Sequence, residues 1–393
     1  MPMYPGLKSL KKEDRNRTID GILRLRKKLA KEIPSRTIRN SLLLATWNIR
    51  DFGGSRLNPQ PRLTESLYYM AEIISAFDIV AVQEVNDNMQ PFLKMMDILG
   101  PTWSYIATDV TEGSGGNSER MAFVFDKGKV LFRNIAGEVV LPQKALIDGT
   151  QFARTPFMVK FQSGWCRFTL NTVHLYYGAD TGEKLEKRIK EISKIAEFLR
   201  TRADKDEENY ILLGDMNIVS PTDKTMKALK DQKFLLPSEL VKNKIPDAFL
   251  ENQPEEVQPL PPPITVAPGG AAVEGDEEDS GGEDTDGAGS NMNRDKFYDQ
   301  IAFYSKKNEL ELGKSEKTAG VFNYYESVFR PADFKTYFDI SSIQDKWGDT
   351  DEKRKNYFTK KWRTWQMSDH LPLWVELNID FSDKYLEKLK AAE

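Results

Sequence analysis

The chain has 393 residues and a mass of 45.0 kDa, enough for one large domain or two small ones. A hydrophobic share of 39% with 11% aromatics supports a sizeable core and excludes wholesale disorder. No apolar run approaches the ~20 residues of a membrane helix, and the first thirty residues are too charged for a secretory leader. The single cysteine, Cys166, excludes an intramolecular disulfide and a multi-thiolate metal site, which points to the cytoplasm. The net charge of −4 conceals an asymmetry: residues 1–40 carry twelve Lys/Arg against four acids, and residues 251–295 carry twelve Asp/Glu against one Arg. Affinity for nucleic acid therefore has to come from local patches.

In chain order, 1–40 reads as a basic helical extension. Ile19, Ile22, Leu23, Leu29 and Ile33 recur at helical spacing, and Pro34 stops the run. The spacing predicts an amphipathic helix packed outside the main domain with solvated charges, the other reading being an arm for a partner or nucleic acid. Ser41–Ile49 reads as a buried strand, Leu63–Phe77 as a helix and Asp78–Gln83 as a second strand. After a Gly/Ser-rich loop at 113–118 come strands at Met121–Phe125, Phe157–Phe161 and Phe168–Leu175. A long amphipathic helix marked by Leu185, Ile189, Ile192, Ala196 and Leu199 then leads into the strand Tyr210–Leu213. This is mixed α/β with extra strands. The stretch 251–295, rich in Pro, Gly and acids, has almost nothing to bury and is expected to be a disordered insert within a domain spanning 41–380, with 381–393 a helical tail.

Six segments place polar groups at the ends of apolar runs: Thr46–Arg50 (TWNIR), Gln83–Val85 (QEV), Val173–Leu175 (VHL), Gly214–Asn217 (GDMN), Tyr298–Ile301 (YDQI) and Ser368–Pro372 (SDHLP). A folded core avoids charge at strand ends unless it is paired or solvated, so six such segments in one chain suggest a common site. The chain has only two histidines, His174 and His370, and both lie in these segments. With several carboxylates similarly placed, they suggest a general acid and a general base.

Taken in order, these motifs resemble those of the endonuclease/exonuclease/phosphatase superfamily of metal-dependent phosphoesterases, and most of all its deoxyribonuclease I-like branch. TWNIRDFGG resembles that branch's opening strand and loop. GGNSERMAFVFDKGKV and FARTPFMVKF resemble its middle strands, and FYDQIAF and MSDHLPLWVEL its closing motifs; the likeness runs from about residue 42 to 378. The resemblance implies a four-layer α/β/β/α sandwich of two mixed β-sheets flanked by helices, with the site at one end.

It also implies a division of labour. Phosphodiester hydrolysis needs in-line water attack, neutralised phosphate charge and a protonated leaving oxygen, and Mg²⁺ or Mn²⁺ with hard oxygen ligands suits the task. Glu84 is the main expected metal ligand, supported by Asn48 and Asp369. Asp215 and Asn217 would orient water and phosphate oxygens. His370, oriented by Asp299, matches the general base, and His174, oriented by Glu119, the group that protonates the leaving oxygen. Arg50 and Arg154 match phosphate-contacting arginines, although guanidinium suits an ordinary salt bridge as well.

Three departures bear on substrate. Asn86 follows QEV where the pancreatic enzymes carry a minor-groove arginine, the loop before Glu119 is shorter and lacks their tyrosine, and the secreted relatives' disulfides are absent. Lys353–Gln366 interleaves six Lys/Arg with Tyr357, Phe358, Trp362 and Trp365, a composition suited to single-stranded nucleic acid, the other reading being aromatics in the core with solvated cations; Trp365 is expected in the core on either reading. The expectation is a cytoplasmic, metal-dependent endonuclease acting on DNA. The rivals are a phosphoesterase for lipid or inositol phosphates and, from a different class, an inactive binding protein; substrate choice lives in loops that the motifs do not cover. The acidic insert, tethered beside the Asp215 and Asp299 motifs, could mimic nucleic-acid charge. Deleting 254–290 would then raise the rate on DNA, most visibly at low salt.

Overall fold

A computed structural model describes residues 2–54, 60–111, 118–241, 289–305 and 310–391. The expected acidic insert lies outside these residues except for its last seven, as does most of the Gly/Ser-rich loop at 113–118.

The apolar runs fold into two mixed sheets. Strands β1 (Ser41–Phe52), β2 (Ile79–Asn86), β3 (Trp103–Ala107), β4 (Glu119–Asp126), β10 (Ala319–Val321) and β11 (Leu373–Asn378) form the first, in the order β10-β11-β1-β2-β4-β3. Strands β5 (Leu131–Glu138), β6 (Phe157–Ser163), β7 (Cys166–His174), β8 (Asn209–Asp215) and β9 (Asp299–Ser305) form the second, in the order β5-β6-β7-β8-β9. Among the described residues each sheet holds one parallel pair, β1/β2 and β7/β8, and its other pairs are antiparallel. A parallel pair needs a crossover, supplied by helix α2 (Thr64–Ser75) in the first sheet and by α4 (Gly182–Asp206) in the second. One large core contains side chains from both sheets, including Phe123, Phe161, Leu170 and Leu213, and a second core packs the outer face of β7 and β8 under α4. This is the α/β/β/α sandwich that the resemblance implies.

Helix α1 (Lys12–Glu32) packs on α2 through a face that includes most of the expected stripe. Of the expected five, Ile22, Leu29 and Ile33 are buried, together with Thr18, Gly21 and Leu25, whereas Ile19 and Leu23 are exposed. The face follows residues 18, 22, 25 and 29, spaced by three and four, and the helices approach closely at Gly21. A Cβ there would stand 2.2 Å from the Tyr69 hydroxyl. Several of its cations are paired rather than solvated. Arg17 Nε donates to Glu65 at 2.7 Å and Arg26 Nε to Glu72 at 3.1 Å, while Lys28 reaches Glu32 and Glu326.

The basic–aromatic stretch also divides differently. Helix α8 (Asp351–Tyr357) continues through a π-helical turn, Phe358–Trp362, into a short helical turn, Arg363–Gln366. Phe358 and Trp362 lie in the core against Tyr337 and Trp347, so they offer no stacking surface. Trp365, expected in the core, is only half-buried and carries the Arg50 guanidinium 3.8 Å from its ring centroid.

Candidate active site

The two sheets bring their polar strand ends to one edge of the sandwich. β1, β2, β7 and β8 end there, and their antiparallel neighbours β4, β9 and β11 begin there. The first sheet supplies Asn48, Glu84, Glu119 and, from the loop entering β11, Asp369 and His370; the second supplies His174, Asp215 and Asp299.

Two histidine–carboxylate pairs cross the gap between the sheets. His370 Nδ1 lies 2.7 Å from Asp299 Oδ2, and His174 Nδ1 lies 2.9 Å from Glu119 Oε1. The other ring nitrogens converge, with His174 Nε2 3.5 Å and His370 Nε2 3.7 Å from Asp215 Oδ2. Asn48 Nδ2 donates to the same oxygen at 3.1 Å and to Glu84 Oε1 at 2.8 Å. Asn217, two residues past β8, donates its backbone N–H to Asp215 Oδ1 and its side-chain amide to Leu175 O, each at 2.9 Å.

Local backbone chemistry aims these groups. Glu84 sits at φ +60° where the β2/β4 register shifts, so a bulge rather than the regular pleat turns its side chain into the gap, with its Oε2 held by Asp51 N–H at 2.8 Å. Gly214 takes φ +128°, and a Cβ there would stand 2.2 Å from Val173 O, so the chain can enter Asp215 this way only with glycine. Ser368 Oγ donates to Asn48 O at 2.7 Å and accepts from His370 N–H at 3.0 Å, which ties the His370 loop to β1. Beneath the site, Gln83 Nε2 donates to Thr46 Oγ1 (3.0 Å) and Thr172 Oγ1 (2.8 Å), a buried link between the sheets. Arg62, pushed down to about 10 by burial, donates to the carbonyls of Arg50 and Asp51. Gln83 and Ser368 stood in quoted segments without being assigned a role; nothing in the sequence around Arg62 or Thr172 signalled one.

The electrostatics follow from burial and pairing. For His370, burial opposes the charge, but Asp299 and Asp215 overcome it and hold the imidazole well above its ordinary value. For His174, burial and the neighbouring Arg154 lower the value, Glu119 and Asp215 raise it, and the net shift is upward. Burial would raise Glu84, yet His174, the Asp51 amide and Asn48 bring it down to about 2, so it is ionised at neutral pH. Burial pushes Asp215 up despite the two imidazoles.

Among the described residues, Glu84, Glu119 and His174 have ligand atoms within 4.8 Å of one another, a group that can hold a metal ion. Glu119 is already engaged by Arg154 and His174. Glu84 is the more open ligand, and beside it Asn48 Oδ1 is buried without a hydrogen-bond partner. A carboxylate and an orphaned amide oxygen are hard donors and fit a hard divalent cation. Asp369, half-exposed, lies 3.5 Å from Arg50 Nη1, which also donates to Thr364. Arg50 and Arg154, the expected phosphate contacts, are thus both beside site carboxylates.

The fold agrees with a known one. An endonuclease/exonuclease/phosphatase family protein from Bacteroides thetaiotaomicron superposes over 87% of this chain and 99% of its own at TM-score 0.50, with 15% identity. The chain thus shares its fold with that protein. The catalytic domain of human Nocturnin, solved with a bound sulfate anion, matches at TM-score 0.46 and 14% identity over 87% of this chain and 96% of that one. In part of its sequence the chain is similar to a deoxyribonuclease. It is 32% identical to Deoxyribonuclease-1 of Bos taurus over 136 residues, which is 31% of this chain and 43% of that protein. The match thus spans less than half of the relative's length. No family model matches the chain.

Proposed function

We propose that the chain is a cytoplasmic, divalent-metal-dependent phosphodiesterase that hydrolyses DNA internally, with residues 41–380 as its catalytic unit. The observation that carries this reading is the convergence of two cross-sheet histidine–carboxylate pairs on Asp215, beside an ionised Glu84.

In this reading Glu84 and Asn48, with Asp369 at the rim, hold Mg²⁺ or Mn²⁺. The ion supplies neutralisation of charge on the non-bridging phosphate oxygens. The neutral form of His370 takes the proton of the attacking water at Nε2, and Asp299 fixes the imidazole tautomer and stabilises the cation that forms. Asp215 and Asn217 orient the water and a phosphate oxygen. His174 Nε2 delivers a proton to the leaving oxygen, with Glu119 holding its other nitrogen. Arg50 and Arg154 bind the flanking phosphate charge.

DNA is favoured by the likeness to bovine Deoxyribonuclease-1. The side chain of Asn86 turns inward and donates to Asp51 Oδ1 at 2.6 Å, so this position does not reach for a minor groove. The test is nicking of supercoiled plasmid by purified protein with Mg²⁺ or Mn²⁺, beside EDTA and His370→Ala controls. Nicking lost in both controls is the expected result. A wild type that leaves both the plasmid and single-stranded DNA intact, but cleaves RNA or a lipid phosphate, overturns the substrate; one that cleaves none of them overturns the enzyme.

A further inference from the structure

One buried carboxylate has no part in the chemistry described so far. Glu191 lies on the inward face of α4, fully buried beside Ile192 and Ile195. A carboxyl group is costly there unless both oxygens are satisfied. Oε1 accepts the Ala153 N–H and Oε2 accepts the Tyr176 N–H, each at 3.1 Å. Burial pushes Glu191 up, and the two amides, with Lys187 and Arg154 beyond them, pull it back.

The two amides belong to segments far apart in sequence, and each adjoins a site residue. Ala153 precedes Arg154, and Tyr176 follows His174 by two. Both residues then meet at Glu119, where Arg154 pairs with Oε1 and His174 Nδ1 stands 2.9 Å from the same atom. The contacts close a ring: Glu191, Ala153, Arg154, Glu119, His174, Tyr176 and back to Glu191. Regular structure leaves both segments in need of such a tie. β7 ends at His174, and Leu175 N–H makes the last bond to β8, at Asp215 O. Ala153 and Arg154 lie in the connection before β6.

We propose that Glu191 is a positioning residue that sets the spacing of His174, Glu119 and Arg154 by anchoring the two backbone segments that carry His174 and Arg154; this rests on the proton-donor role given to His174 above. A carboxylate suits the task because it offers two acceptor oxygens to two donors. A glutamine offers one acceptor and one donor, so one of the two amides must lose its partner.

The test is Glu191→Gln, read in two ways. Because the chain has only two histidines, their ring resonances in metal-free protein are resolved and assigned with His370→Ala. The His174 resonance is expected to move and that of His370 to stay. In kinetics, kcat on DNA is expected to fall about tenfold or more, as small misplacements of catalytic groups do. Turnover of thymidine 5′-(p-nitrophenyl phosphate), whose leaving group needs no proton, should fall by less than about threefold. Equal losses on both substrates, or an unmoved His174 resonance, overturn the proposal. If Glu191→Gln does not fold, Glu191→Met, of similar length and without polar atoms, takes its place. Hydrogen exchange of the wild type gives a further check: the Ala153 and Tyr176 amides must be protected, and exchange at unprotected loop rates overturns the proposal. A wild type that turns over neither substrate would sink the phosphodiesterase reading, while the resonance shift would still decide the role of Glu191.

Discussion

The two ends of β2 treat buried charge in opposite ways. At its start, Asp78 has both oxygens satisfied: Oδ1 accepts from Arg36 at 2.6 Å and Oδ2 from the Leu43 N–H at 2.8 Å, while Arg36 also reaches Asp126. At its other end, Glu84 sits in a left-handed conformation, faces two imidazoles and a second carboxylate, and lies beside an amide oxygen that has no partner. The first arrangement is closed and stabilises the fold. The second is held open by the surrounding structure, with strain and incomplete pairing that pure stability would remove. Helix α1 belongs to the first kind, docked through Arg17–Glu65 and Arg26–Glu72.

Substitutions should separate the two ends. The largest effect is expected at the open one: His370→Ala should lower plasmid nicking by roughly 10³-fold, a typical contribution of a general base, with the variant still folded at the assay temperature. A loss of nicking explained by unfolding would erase the contrast. At the closed end, Arg36→Met strands two carboxylates and should destabilise by about 3–5 kcal/mol, measured by urea unfolding, with kcat retained below the transition.

Arg17→Met sharpens the comparison through pH. Burial raises Glu65 above its ordinary value, and Arg17 pulls it down, so the folded state binds the Glu65 proton more tightly than the unfolded state. Stability contributed at this group is therefore fullest below about pH 4.5 and declines as pH rises through the raised value. Removing Arg17 deepens the decline. The gap between wild type and variant should reach about 2–3 kcal/mol at pH 8 and largely close near pH 4; a gap independent of pH would assign the effect to packing. The smallest expected effect is the response to metal. Saturating Mg²⁺ or Mn²⁺ should stabilise the wild type by about 1–3 kcal/mol, seen as a few degrees in melting temperature. Glu84→Gln should lose most of that gain, and an equal shift in both proteins would move the metal away from Glu84.

Legibility in the sequence followed burial. The strands β1, β2, β4, β6, β7 and β8 and the helices α2 and α4 announce themselves as apolar runs or amphipathic periods, because both sheets bury their inner faces. The edge strand β5 is mostly exposed and has no such pattern, and β3 and β10 are short. On α1, Ile22, Leu29 and Ile33 are buried as the spacing predicts, while Ile19 and Leu23 lie on the exposed side. Trp365 was misplaced because a cation over its ring, rather than the core, accounts for its position.

The sequence by itself determined which strand ends carry polar groups, that only two histidines are available, and, through the order of the motifs, which family the chain resembles. Those properties are local, set by a few neighbouring residues. Tertiary structure alone decided that His370 meets Asp299 and His174 meets Glu119 across the gap between sheets, that Glu119 is shared with Arg154, and that Glu191 ties two distant segments together. These pairings join residues 55 to 71 positions apart along the chain in the two histidine pairs, and their geometry depends on how two twisted sheets stack.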